Sequence, residues 1–168
     1  EAINAFAREI LLDAKGQLED AGWRVVHGIV DSLWVTPREA HQQRPLADVA
    51  ETVTRQTGIR LEYEGEYEWL AFVPLRDSES GALTKYFGKR TDGGYKYRGI
   101  ECRQRSTPAF VADCQRALIE TFDDARAPEP VCAELSRWIE RLEGGAVDPT
   151  ALEVTKRASK RLGEYAQS

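Results

Sequence analysis

The chain has 168 residues, of which 42% are hydrophobic and 30% charged, and its formal net charge is −5. That balance suits a folded protein of one domain or two small lobes and excludes a disordered tail. No apolar run approaches the roughly 18–20 residues that cross a bilayer, and the N-terminus has no basic segment followed by a cleavage signal, so a cytoplasmic protein is the expectation.

In residues 2–21, Ile3, Phe6, Ala7, Ile10, Leu11, Ala14, Leu18 and Ala21 recur at three- and four-residue spacings, the pattern of an amphipathic helix. Gly22 should stop it. Residues 23–35 then read as two apolar β runs folded back on each other, with Asp31 at the tip of the turn. A lone Asp between Gly28 and Ser32 is where a sheet can offer a metal ligand without burying a charge. The alternative is a turn Asp that bonds its own backbone. Thr36-Pro37-Arg38-Glu39 has the form of a capping box with Pro at the first helical position, so a helix is expected there. Pro45 breaks or delays it, Leu46, Val49 and Val53 give it a narrow apolar face, and Gly58 ends it.

From 59 to 99 the pattern is of strands, at 59–63, 66–73, 83–88 and 94–98, with turns at 77–81 and 91–94. Ser106-Thr107-Pro108 starts a helix with Phe110, Val111, Cys114, Ala117, Leu118 and Phe122 on one face. A second helix carries Val131, Leu135, Trp138, Ile139 and Leu142 up to Gly144-Gly145. Residues 151–155 read as a short β-like run, followed by a basic helix from Lys156. The fold class is therefore α+β, with a composition shift near Thr107.

Cys102, Cys114 and Cys132 form no C-x-x-C pair and read as reduced thiols, mostly in the core. Between Thr84 and Arg105, seven basic residues face two acidic ones, a local balance of +5 that leaves −10 for the remainder. A basic stripe on an acidic body draws a polyanion to one face, or else it solvates a hairpin. The absence of methionine and an opening in mid-helix read as a piece cut from a longer protein or as a processed chain.

Taken in order, these segments resemble the C-terminal half of the palm and the proximal thumb of a family B DNA polymerase, most of all its archaeal branch. In that family a long helix precedes a metal-binding hairpin reading Tyr-Gly-Asp-Thr-Asp-Ser. Here the hairpin reads His27-Gly28-Ile29-Val30-Asp31-Ser32, so the second Asp stands and Ile29 replaces the first. Leu61-Glu62-Tyr63-Glu64-Gly65 matches a Leu-Glu-Tyr-Glu-Gly segment, and Leu83-Thr84-Lys85-Tyr86 a Lys-Lys-x-Tyr strand in which Thr84 replaces a Lys. Arg98-Gly99-Ile100-Glu101, followed by Arg103 and Arg105, matches an Arg-Gly-(Leu/Ile)-Glu element. The helices after Thr107 and the closing Thr155-Lys156-Arg157 look like thumb.

The resemblance implies an antiparallel palm-like sheet with flanking helices over residues 1–106 and a helical thumb-like lobe over 107–168. It implies DNA-directed nucleotidyl transfer to a primer 3′ end, in which two Mg²⁺ ions clamp the attacking oxygen and the leaving pyrophosphate. Asp31 is then the catalytic metal ligand, and Glu62 and Glu64, alternating on one strand face, are auxiliary metal candidates or simply an exposed face. Lys85, Tyr86, Lys89, Arg98, Arg103, Arg105, Lys156 and Arg157 are the candidate DNA contacts. A companion Asp and the nucleotide-binding fingers helix are not in this sequence. The expectation is a chromosome-associated fragment, inactive by itself, whose partners are primer–template DNA, the remainder of the polymerase chain and, in the complete enzyme, dNTP. The competing readings are an inactivated paralogue kept as a DNA-binding or structural subunit, and a small acidic interaction module with accidental similarity.

Overall fold

Helix α1, Ala2–Asp20, leads into an antiparallel hairpin of β1, Trp23–Ile29, and β2, Ser32–Pro37. Helix α2, Leu46–Thr57, follows, then β3, Tyr67–Pro74, β4, Gly81–Arg90, and β5, Tyr95–Arg98, which form a second sheet in that order. A 3-10 turn at Glu101–Arg103 precedes helices α3, Ala109–Ala125, and α4, Pro128–Glu143. The computed structural model describes residues 2–29, 31–75, 77 and 80–156. The architecture is α+β, with antiparallel pairing and flanking and following helices. Among the described residues no helix is long and apolar enough to cross a membrane. Two compact units share the chain. The first takes the residues up to Glu68, Phe72–Thr84 and Arg90–Asp92; the second takes Trp69–Ala71, Lys85–Lys89 and the described residues from Gly93 onward.

In the first unit, Leu18 of α1 and Ala21 just after it cluster with Val49 of α2, and Ala14 of α1 and Val53 of α2 are buried as well, each of the five under 9% exposed. Trp23, Val25, Leu33 and Val35 of the hairpin pack on that cluster, so the stripe read from α1 is what seats the hairpin. Gly22 ends α1 at φ +88, and a Cβ there would lie 2.6 Å from the carbonyl oxygen of Gln42, so glycine is required twice over. Two expected elements are corrected here. No helix starts at Thr36. Pro37 still pairs with Trp23, Arg38 donates its backbone N–H to the Gly22 carbonyl at 3.0 Å, and Ala40 takes a left-handed φ of +61. The capping-box residues are thus spent on the hairpin, and α2 waits until after Pro45. Nor are residues 59–63 a strand. Leu61 and Ile59 donate their N–H groups to the hydroxyls of Thr54 and Thr57 at 2.9 and 3.2 Å, so side chains of α2 replace the ladder.

In the second unit, α3 buries Phe110, Ala112, Ile119 and Asp123, a face rotated from the expected one: Val111 and Phe122 are 42% and 36% exposed. Trp138 of α4 meets Phe110 edge-on at 5.0 Å, with the Arg141 guanidinium over both rings. The expected β-like run at 151–155 is instead a 3-10 turn at Pro149–Leu152, then irregular chain. Asp148 caps that turn by accepting from the Thr150 N–H at 2.9 Å. Of the cysteines, Cys102 is buried, Cys114 half-buried and Cys132 exposed, all of them free thiols; burial raises the first two above the ordinary thiol range.

Candidate functional site

The hairpin register runs His27 opposite Trp34, Gly28 opposite Leu33 and Ile29 opposite Ser32, leaving a two-residue tip that contains Asp31. A shift in register between Val25 and His27 makes Val26 an extra, half-exposed residue, a bulge that twists the ribbon before its tip. Asp31 is exposed. Its backbone N–H meets the Ile29 carbonyl, and its carboxylate accepts from the Ser32 hydroxyl at 3.2 Å. Behind the tip, the His27 ring lies 4.2 Å from that of Phe72 and 5.2 Å from that of Trp34, and its Nε2 is 3.2 Å from the Leu83 carbonyl. His27 is a packing residue of the ribbon.

Glu62 and Glu64 sit on the irregular chain after α2, not on a strand face. Glu62 pairs with Arg60, and Glu64 lies beside Arg90, which also donates to the Glu64 carbonyl at 3.2 Å. Among the described residues no three His, Cys, Asp or Glu side chains are grouped so as to hold a metal ion. Asp31 offers one hard oxygen donor of the kind Mg²⁺ accepts, and Ile29 offers none.

The basic stripe divides between two faces. On the β4–β5 ribbon Tyr86 stands opposite Arg98, Phe87 opposite Tyr97, Gly88 opposite Lys96 and Lys89 opposite Tyr95. Cross-strand partners share a face and neighbours along a strand do not. Tyr86, Gly88, Lys96 and Arg98 therefore lie on one face, and Lys85, Phe87, Lys89, Tyr95 and Tyr97 on the other. Tyr86 is only 4% exposed, which places its ring in the core where a surface contact was expected. Lys85, Arg98, Arg103, Arg105 and Lys156 are exposed, while Arg157 lies outside the described residues. Two acids that could pair with Arg103 or Arg105, Glu101 and Asp113, are engaged with other groups. Asp113 pairs with Arg116 at 2.7 Å, and Glu101 accepts from the Gln115 amide at 3.2 Å. That bond holds the Glu101 carboxyl below its ordinary range.

The face with Lys85 and Lys89 contains a group that sequence reasoning missed. Asp123, whose side chain is 3% exposed, accepts from Trp69 Nε1 at 2.6 Å, Tyr95 Oη at 2.7 Å, Lys89 Nζ at 2.9 Å and Arg126 Nη2 at 2.7 Å. The hydrogen bonds from Lys89 and Tyr95 pull its carboxyl well below the ordinary range, against the opposing effect of burial. Burial, and then the bond to Asp123, raises the Tyr95 phenol. The Arg126 guanidinium lies 5.0 Å over the Trp69 ring and 5.8 Å over that of Phe122. One signal was present in the sequence. Asp123 and Asp124 fall in the last turn of a helix, where the macrodipole disfavours carboxylates, so compensating cations were to be expected.

No protein-family model matches the chain. It is 22% identical over 165 residues to a DNA polymerase of Archaeoglobus fulgidus, covering 98% of this chain and 20% of that protein. It is 25% identical to DNA polymerase II of Escherichia coli, covering 98% of this chain and 23% of that protein. A shorter stretch of 78 residues is 33% identical to DNA polymerase 2 of Saccharolobus solfataricus, 46% of this chain and 11% of that one. Among solved structures, the family B DNA polymerase of Pyrobaculum calidifontis matches with a TM-score of 0.59 at 23% identity, over 98% of this chain and 20% of that one. That likeness shows the fold. The chain spans about a fifth of the length of the Archaeoglobus, Escherichia and Pyrobaculum polymerases.

Proposed function

We propose that the chain is a segment of a DNA-directed DNA polymerase of the family B type, binding primer–template DNA through its β4–β5 ribbon and the arginines that follow. The observation that carries this reading is the likeness to DNA polymerases over 98% of the chain in both sequence and fold. The exposed tip aspartate and the exposed cations at 85, 98, 103 and 105 are consistent with it. In such an enzyme the metal ions supply charge neutralisation at the attacking and leaving oxygens. Asp31 would give one oxygen ligand and the hairpin would hold it clear of the core. By the resemblance, the other donors belong to another part of the polymerase. With the companion ligand and the nucleotide site outside the resembled segment, nucleotidyl transfer by this chain alone is not expected.

The test is binding of a primer–template duplex by fluorescence anisotropy across a salt series. Four phosphate contacts predict log K falling against log salt with a slope of about −3.6. Primer extension with Mg²⁺ and dNTPs should be absent for the isolated chain. A slope near zero, or extension without any added subunit, would overturn the proposal. One observation favours a second reading: Ile29 stands where the resembled motif has a carboxylate, as in an inactivated paralogue retained for DNA binding. Extension activity by the full-length protein would reject that alternative.

A further inference from the structure

We infer that Asp123 withdraws Lys89 from the nucleic-acid footprint, so that it selects which cations of the β4–β5 ribbon a DNA backbone can use. The inference rests on the polymerase reading above. Lys89 belongs to the basic stripe, and by charge alone it is equivalent to Lys85 or Arg98. Its position is not equivalent. The register places it on the face opposite Tyr86 and Arg98, and its ammonium is 2.9 Å from Asp123 Oδ2, with 27% of the lysine side chain and 3% of the aspartate exposed.

The aspartate cannot follow Lys89 outward. Trp69 and Arg126 hold its Oδ1, and Tyr95 donates to the same Oδ2 that takes Lys89. A phosphate recruiting Lys89 would therefore leave a buried carboxylate short of one cation, and removing a partner from such a pair is strongly unfavourable. A phosphate approaching Arg98, Arg103 or Arg105, all exposed, meets no such penalty. Asp123 acts here as a positioning residue: it contacts no nucleic acid and works by holding a cation back.

Two measurements on the intact chain test this. Competitive acetylation followed by mass spectrometry reads the pairing without DNA, and Lys89 should react several-fold more slowly than the exposed Lys85. Duplex binding across a salt series reads the footprint. Lys89→Gln, once circular dichroism shows it folded, should leave the slope of log K against log salt within experimental error of the parent, while Arg98→Gln should reduce its magnitude by about 0.9. Asp123→Asn, if circular dichroism shows it folded, should speed acetylation of Lys89 relative to the parent, because the carboxylate charge 2.9 Å from its ammonium is then gone. Acetylation of Lys89 as fast as Lys85, or a loss of slope in Lys89→Gln equal to that in Arg98→Gln, would overturn the inference. A parent chain with no salt-dependent binding would overturn the polymerase reading and this inference with it. That failure is recognisable because the acetylation pattern would be unchanged.

Discussion

Trp69 donates its indole N–H to a carboxylate oxygen of Asp123, 54 residues later in the chain, at 2.6 Å. The bond joins β3 to α3 inside the second unit, and three further donors converge on the same carboxylate. A buried anion with four donors tolerates its burial only while the set is complete.

Trp69→Phe keeps an aromatic ring against Phe87 and Phe122 but deletes one donor to a charged acceptor. The expected loss of stability is roughly 1.5–3 kcal/mol. Urea denaturation should show a lower midpoint at unchanged slope, and a midpoint equal to the parent's would deny the bond any net role.

Stability should depend on pH from both sides of neutrality. The Asp123 carboxyl is lowered in the folded state, first by the Lys89 hydrogen bond and then by that from Tyr95. Its contribution is therefore complete above the unfolded value of about 4 and is lost as pH falls below it. The Tyr95 phenol is raised, first by burial, so its contribution is complete below about 10 and is lost as pH rises further. Glu101, Glu134 and Asp148 are also lowered by hydrogen bonds, so Asp123→Asn should flatten the acid limb only in part. Thermal melts of parent and variant from acid to alkaline pH would check both limbs, and identical acid limbs would count against the assignment.

Two glycines should respond with opposite sign. A Cβ on Gly88 would lie 2.5 Å from the Trp69 carbonyl oxygen and 2.9 Å from a Leu70 methyl, so Gly88→Ala should cost about 1–3 kcal/mol through strand displacement. Gly16, inside α1, has nothing within 4 Å of that position, and Gly16→Ala should stabilise by about 0.5–1 kcal/mol. Calorimetry on the two variants decides the matter; a shift of the same sign in both would contradict the local geometry.

Asp31→Asn removes a charge from an exposed tip whose carboxylate accepts from the Ser32 hydroxyl. Its stability should stay within about 0.5 kcal/mol of the parent, while Mn²⁺-induced broadening of the amide signals around the tip should disappear from the NMR spectrum. Persistent broadening there would mean that another group binds the cation.

Much of the fold was legible because it rests on periodicity. The apolar stripe of α1, its stop at Gly22 and the two apolar runs of the hairpin with Asp31 at its tip all follow from local pattern, and each appears within a residue or so of expectation. The Thr36 capping box misled because the same residues were claimed by the ladder with Trp23 and Gly22. The strand expected at 59–63 failed because the threonine hydroxyls of α2 satisfy its backbone donors. At Thr36 a partner distant in sequence outbid the local preference, whereas at 59–63 the competing acceptors are hydroxyls two and seven residues upstream.

The candidate site divides along the same line. Which residues could bear charge, and that Asp31 would stand at a turn, were fixed by residue type and short-range pattern. The sequence could not determine on which side of β4 each lysine emerges, because that depends on register with β5. Nor could it identify Asp123 as the anion that holds one of them, because its four donors come from β3, β4, β5 and the residue just after α3. A carboxylate becomes a buried hub only when chain folding has brought its donors within hydrogen-bonding range, and no stretch of sequence records that distance.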